Sequence, residues 1–222
     1  MKNLIIGSVI ALASILAPQI LKAQGTTFLS NLGQPSDGSN AVGSDSWLAA
    51  LFFTGTNSSG YMLGSLQLAI TDASGNPSGF TAMLYSALIG GGTFPGSSLG
   101  TLDGSLNPTT AGIYTFTPAS NLTLSAGTPY FIVLTAETAV ANGAYGWDYS
   151  NTYSYNPSND WVAAVTLGSS DGSTSSWRRL GGNPLYVYSE FAINATPIPE
   201  PGVLSLLGLG GLCFLWHHRR LR

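Results

Sequence analysis

Tyr61-Met-Leu-Gly-Ser-Leu-Gln-Leu-Ala-Ile70 is the stretch whose reading decides the fold class. Leu66, Leu68 and Ile70 recur at every second position, with Ser65, Gln67 and Ala69 between them. Successive side chains of a strand point to opposite faces, so this spacing predicts a strand with one apolar face. Asp72-Ala-Ser-Gly-Asn-Pro-Ser-Gly79 follows, dense in turn-forming residues, and Phe80 to Ala87 reads as the returning strand. On the other side, Trp47-Leu-Ala-Ala-Leu-Phe-Phe-Thr54 is a short apolar run bounded by Ser and Gly, which predicts a buried strand.

Further along, Gly90 to Gly112 reads as a long Gly/Ser/Pro loop. Strands are expected at Ile113-Tyr-Thr-Phe-Thr117, Leu122-Thr-Leu124 and Pro129-Tyr-Phe-Ile-Val-Leu-Thr135. Weaker ones fall at Ala144 to Tyr149, Trp161 to Leu167 and Trp177 to Leu180, and Tyr186-Val-Tyr-Ser-Glu-Phe-Ala-Ile193 closes the series. No helical stripe of useful length occurs outside the two ends. Short strands separated by turn signals predict an all-β domain, an antiparallel β-sandwich or jelly roll. An N-terminal signal helix and a single C-terminal transmembrane helix are expected to flank it.

The ends have their own chemistry. Lys2, the apolar Leu4 to Leu16 and Leu21-Lys22-Ala23 have the order of a secretory signal peptide, residues 1–23. At the other end Pro197-Ile-Pro-Glu-Pro201 precedes an apolar run, Val203 to Trp216, and the basic His217-His218-Arg219-Arg220-Leu221-Arg222. Glu200, between Pro199 and Pro201, is barred from helix, because proline restricts the residue before it and donates no N–H. The kinked segment is a protease handle just outside a membrane, and Arg219, Arg220 and Arg222 act as a basic stop that favours the cytoplasmic side. The apolar run has 14 residues, about 21 Å of helix at ~1.5 Å per residue, against a hydrocarbon core of ~30 Å. Such a span suits a temporary anchor better than a permanent one.

Between Gln24 and Thr196 there is no Lys, no His and no Cys; Arg178 and Arg179 face nine acids, for a formal charge of −7. An acidic surface of this kind repels phosphate backbones and excludes nucleic acid as a partner. No disulfide framework is available, and the lone Cys213 lies in the apolar run. The 24–196 segment is long enough for one domain with a substantial core. Its aromatic content and scarcity of charge are those of a folded chain rather than a disordered one.

The same composition decides most motifs. Gly96-Ser97-Ser98-Leu99-Gly100 matches the nucleophile-elbow pattern, which needs a strand-to-helix turn and a His base; the domain has no His. Metal sites built on His or Cys are excluded in the same way. Calcium takes oxygen ligands, which leaves Asp37, Asn40 and Asp45, or Asp72 and Asn76, as candidates; neither set has EF-hand spacing, and turn formation is the simpler role. No cofactor is implied. Asp148 and Asp160 are the best-placed pair of carboxylates for glycoside chemistry, although acids in such a domain more often serve turns and solubility. Arg178-Arg179 is too small for a polyanion site and is expected to pair with Asp160 or Asp171 or to keep a strand face solvated.

The candidate binding surface is Tyr145-Gly-Trp-Asp-Tyr149 with Tyr153, Tyr155, Trp161 and Trp177. Trp147, Tyr149 and Trp161 supply rings that stack on sugars, and Asp148 and Asn151 supply hydroxyl partners, provided a loop or strand end lets them act together. The competing assignment makes these rings core and cross-strand pairs, which is their commoner role in sheets.

Pro199-Glu200-Pro201, the apolar run and the arginine-rich end together resemble the PEP-CTERM sorting signal of Gram-negative bacteria. The resemblance covers Pro197 to Arg222. It implies recognition by an exosortase-type membrane protease or transpeptidase, transient residence in the inner membrane, and release or re-anchoring at the cell surface or in an extracellular matrix, often where exopolysaccharide is made. Trp47 to Gly55, Tyr61 to Leu68 and Leu122 to Leu134 carry a second resemblance, to the choice-of-anchor R domain of surface proteins. It implies an extracellular β-sandwich over Thr27 to Ile193 and brings no catalytic residues. The sequence therefore predicts an exported, non-catalytic surface or matrix protein. A carbohydrate-binding module is the alternative and a glycoside-active enzyme the third reading.

Overall fold

A computed structural model describes residues 25–90, 92–153, 155–157, 160–181 and 186–200. The predicted signal helix and transmembrane helix lie outside these residues. Among the described residues no helix is long and apolar enough to cross a membrane. In chain order the strands are β1 (Thr26–Ser30), β2 (Gly38–Val42), β3 (Trp47–Phe53), β4 (Tyr61–Gly75), β5 (Thr81–Ile89), β6 (Thr93–Asp103), β7 (Gly112–Pro118) and β8 (Thr123–Leu124). They continue with β9 (Pro129–Thr135), β10 (Gly143–Ser150), β11 (Asn156–Pro157), β12 (Val162–Ser169), β13 (Arg178–Arg179), β14 (Tyr188–Ser189) and β15 (Phe191–Pro197). A short 3-10 turn, Val140–Asn142, leads into β10.

The fold is all-β: one antiparallel sheet, in the order β11-β1-β15-β4-β7-β6-β5-β9-β3-β12-β13, with β10 pairing β14, β2 and β4, and β8 pairing β4. The sheet curls. Its two halves meet where β6 pairs β7 at only two positions, Leu102↔Pro118 and Asp103↔Thr117. The first half is built around β4 and the second around β9. Leu66, Leu68 and Ile70 of β4 share one buried cluster with Leu48, Ala50 and Phe52 of β3 and Ile132 and Leu134 of β9. Trp161 ties the halves together, with its ring 5.1 Å from Phe28 beside β4's half and 5.9 Å from Phe52 of the other. Burying a ring of this size contributes about 2–3 kcal/mol in removed apolar surface.

The strand β4 alternates as its sequence predicts, but two expectations about its neighbourhood fail. Asp72 to Gly75 belongs to the strand and not to a turn, because Ser74 and Gly75 pair with Ala144 and Gly143 of β10. The returning segment, β5, crosses to the other half and pairs with β6 and β9; β4 takes β7, β15 and β10 instead. The predicted loop Gly90 to Gly112 contains β6, eleven residues long. Pro95 is tolerated there because this part of β6 pairs with β5 alone, leaving the other edge free of ladder bonds.

Candidate functional site

Of the two assignments the sequence offers for Trp147 and Trp161, sugar platform or core, the structure shows core. Trp147 and Trp161 are both 0 % exposed. Trp147 sits inside β10, which pairs with β2 at Asn40 and with β4 at Ile70, and its indole Nε1–H donates to the Glu190 carbonyl at 2.9 Å. The stretch 145–149 is thus interior strand rather than a loop or strand end. Alternation also puts Trp147 and Asp148 on opposite faces, so the pair cannot act on one ligand. Tyr149 and Asp148 are half-buried and Asn151 is exposed; the Asn151 N–H donates to Asp37 Oδ2 at 2.7 Å. Trp177 is equally buried, on the outer side of the second half.

Two tyrosines stay at the surface of this region. Tyr153 is 46 % and Tyr186 43 % exposed. Their rings meet Tyr188 of β14, at 5.3 Å edge-on for Tyr153 and 6.4 Å for Tyr186. The sequence pointed to Tyr153 as part of an aromatic stretch but missed Tyr186 and Tyr188, thirty-odd residues away along the chain, because only the β10–β14 ladder brings them together: Ser150↔Tyr188.

Beside them lies an acidic group that the sequence did not single out. Glu190 connects β14 to β15, its N–H donates to the Asp148 carbonyl at 2.8 Å, and its side chain is only 3 % exposed. Oε1 of this carboxyl has no hydrogen-bond partner. Burial, followed by the fields of Asp148 and Asp37, pushes Glu190 up to about 7. Burial also raises Asp148. Asp160, its suggested partner in glycoside chemistry, is approached instead by the hydroxyl of Thr56 at 3.4 Å.

The remaining candidates serve the backbone. Asp45 accepts the Val140 N–H at 2.8 Å and Asp72 the Ala111 N–H at 2.8 Å, while Asp37 holds Asn151 as above. Among the described residues no three His, Cys, Asp or Glu are gathered so as to hold a metal ion. The Asn40 side-chain nitrogen is buried without a partner, and nothing in the structure explains it. Asp171 is held by the hydroxyls of Ser176 and Ser173 and the Ser173 N–H, which lower it to about 2. Arg178 donates to the carbonyls of Ser175 and Trp177 rather than to a carboxylate. Ser98 of the elbow-like pattern sits inside β6 and not at a strand-to-helix turn.

At the end of β15 the sheet runs straight into the Pro-Glu-Pro segment. Pro197 pairs with Tyr61, the Ile198 N–H donates to the Gly60 carbonyl at 3.0 Å, and Asn57 Nδ2 donates to the Ile198 carbonyl at 3.1 Å. Ser58 Oγ then donates to Glu200 Oε1 at 2.7 Å. Pro199 and Glu200 are exposed. Gly60 holds this corner at φ +80°, where an added Cβ would lie 2.4 Å from the Leu124 carbonyl oxygen, so only glycine fits. Pro201, Arg219, Arg220 and Arg222 lie outside the described residues.

Residues 197–220 match the PEP-CTERM protein-sorting motif. The match supports sorting by an exosortase system and implies export and a cell-surface or extracellular location. No curated protein and no solved structure matches the chain.

Proposed function

We propose that this is an exported, non-catalytic β-sandwich protein of the choice-of-anchor kind, processed by an exosortase-type enzyme and working at the surface or in the extracellular matrix of a Gram-negative cell. The observation that carries this reading is the position of the sorting motif: it begins at the last paired residue of β15, so the folded domain and its delivery signal form one continuous unit. A single core shared by the two halves of the curled sheet supports the sandwich. Glu190 is closed off from solvent, which argues against its use in glycoside chemistry. Replacing Glu200 with Ala should leave an uncut precursor in the inner membrane, read by mass spectrometry of the chain from its own host. Unchanged delivery and mature mass would overturn the reading.

A second reading, binding of exopolysaccharide, is favoured by the exposed Tyr153 and Tyr186 rings with Asn151 nearby along the chain. Exposed rings with polar neighbours suit the alternating apolar and hydroxyl surfaces of a sugar. The acids around Glu190 favour a neutral glycan over an anionic one.

A further inference from the structure

The corner formed by Asn57, Ser58 and Gly60 does more than end a loop. Three of its groups hold the first residues of the sorting motif: the Gly60 carbonyl takes the Ile198 N–H, Asn57 takes the Ile198 carbonyl, and the Ser58 hydroxyl takes the Glu200 carboxylate. Glu200 is the one acid of the segment from Phe191 to Arg222, and therefore its natural anionic recognition handle. It lies three residues past Pro197, the last residue in the ladder. An extended chain spans at most ~3.3–3.6 Å per residue, so the handle sits within about 10 Å of the sheet. An enzyme that threads this segment through its own groove meets the folded domain at once, and the Glu200 carboxylate it must engage is already bonded to Ser58.

We propose that the Asn57–Gly60 corner is a hold on the sorting motif, and that Ser58 is a positioning residue that slows processing by competing with the exosortase-type enzyme for Glu200. This inference rests on the sorting reading and adds a rate-setting contact to it. Ser58 is the informative position because it is exposed and its side chain makes this bond. Asn57 also closes its own turn, through its bond to the Gly60 carbonyl at 2.6 Å, so truncating it disturbs the domain as well.

The test is a pulse-chase of the full chain in its host, following conversion of precursor to mature form. Ser58→Ala should speed conversion roughly two- to fivefold, the fold-change expected for losing one modest hydrogen bond. Ser58→Thr, which keeps the hydroxyl, should restore the wild-type rate. A short Gly-Ser linker between Ile198 and Pro199 frees Glu200 without touching the domain and should also speed conversion, at an unchanged melting temperature. Wild-type or slower conversion of the linker variant overturns the hold, whatever Ser58→Ala does to folding. Glu200→Ala is the control that separates the two claims. If it is blocked while the Ser58 and linker variants run at the wild-type rate, sorting stands and the hold falls. If it is processed normally, the sorting reading fails first.

Discussion

Phe131 and Val133, in the middle of β9, lie on the side of the second half that faces away from the shared core, yet both are 0 % exposed. Thr115 of β7 and Gln67 of β4, on the corresponding outer side of the first half, meet water. Behind this contrast stand two surfaces. The outer side of the second half carries its own apolar cluster of Ala49, Leu51, Phe131, Val133, Leu167 and Trp177, with Trp47 and Phe94 packed against it. The outer side of the first half is a groove of about 470 Å³ lined by Gly25, Thr27, Ser65, Gln67, Thr115 and Asn194, without a single charge. Its polar groups bond one another across strands: Thr27 Oγ1–H donates to Asn194 Oδ1, and Asn194 Nδ2 donates to Ser65 Oγ at 2.9 Å. Strands buried on both faces need apolar residues at every position, and strands buried on one need them at alternate positions. The two halves follow these two rules side by side.

Phe131→Ala is the strongest way to break the comparison. If the outer cluster is a true second core, removing this ring leaves a cavity and costs about 3–5 kcal/mol. Chemical denaturation of the mature chain measures it, and a cost below ~1 kcal/mol would show that the outer apolar side is not packed.

Much of this was legible. Alternation at Leu66, Leu68 and Ile70 marked the one-sided strand, and the unbroken Trp47–Phe53 and Pro129–Thr135 runs marked the strands now seen buried on both sides. The strand β6 was hidden because Gly, Ser and Pro dominate it, so no apolar period betrays a strand held by its neighbour β5. Pairing choice was hidden too. Thr27 and Asn194 meet across 167 residues, and local turn chemistry at Asp72–Gly79 argued for a hairpin that long-range pairing overrode. The Pro-Glu-Pro end was readable, since its order of proline, apolar run and arginine is local. Its bond to Ser58 was not. Core burial of Trp147 was the commoner expectation for a ring in a sheet, but which strands flank β10 to bury it could not be read.

Glu190 offers a middle-sized test of the polar half. Its carboxyl is pushed from 4.5 to about 7, so the neutral form is the one the fold prefers. The stability tied to it is fully present below the ordinary carboxylate range and is lost as pH rises through about 7. Glu190→Gln keeps the shape and removes the titration. The variant should match wild type at pH 4 and exceed it by ~1–2 kcal/mol at pH 8. Melting temperatures at the two pH values measure the effect. An equal fall in both proteins would place the pH dependence elsewhere, with Asp148 the next group to test.

The smallest effect on stability is expected where rings face water. Tyr153 and Tyr186 border β14; Tyr186 keeps one aromatic contact, to Tyr188, and Tyr153 two, to Tyr188 and Tyr155. Truncating either to Ala removes those contacts and little else, so the cost should be ~1 kcal/mol for Tyr186, the usual worth of one aromatic pair, and only somewhat more for Tyr153. Set against Phe131, the same kind of truncation then separates a ring that fills a core from a ring that is free to bind. Binding is the readout that a structural ring would not move. Wild-type protein should be retained by the host's exopolysaccharide, and the Tyr153→Ala, Tyr186→Ala double variant should be released while its melting temperature changes little. Retention of the double variant would move the contact surface elsewhere, with the polar groove of Thr27, Ser65 and Asn194 the next face to test. No retention of wild type would end the carbohydrate reading and leave the domain as cargo of its sorting signal.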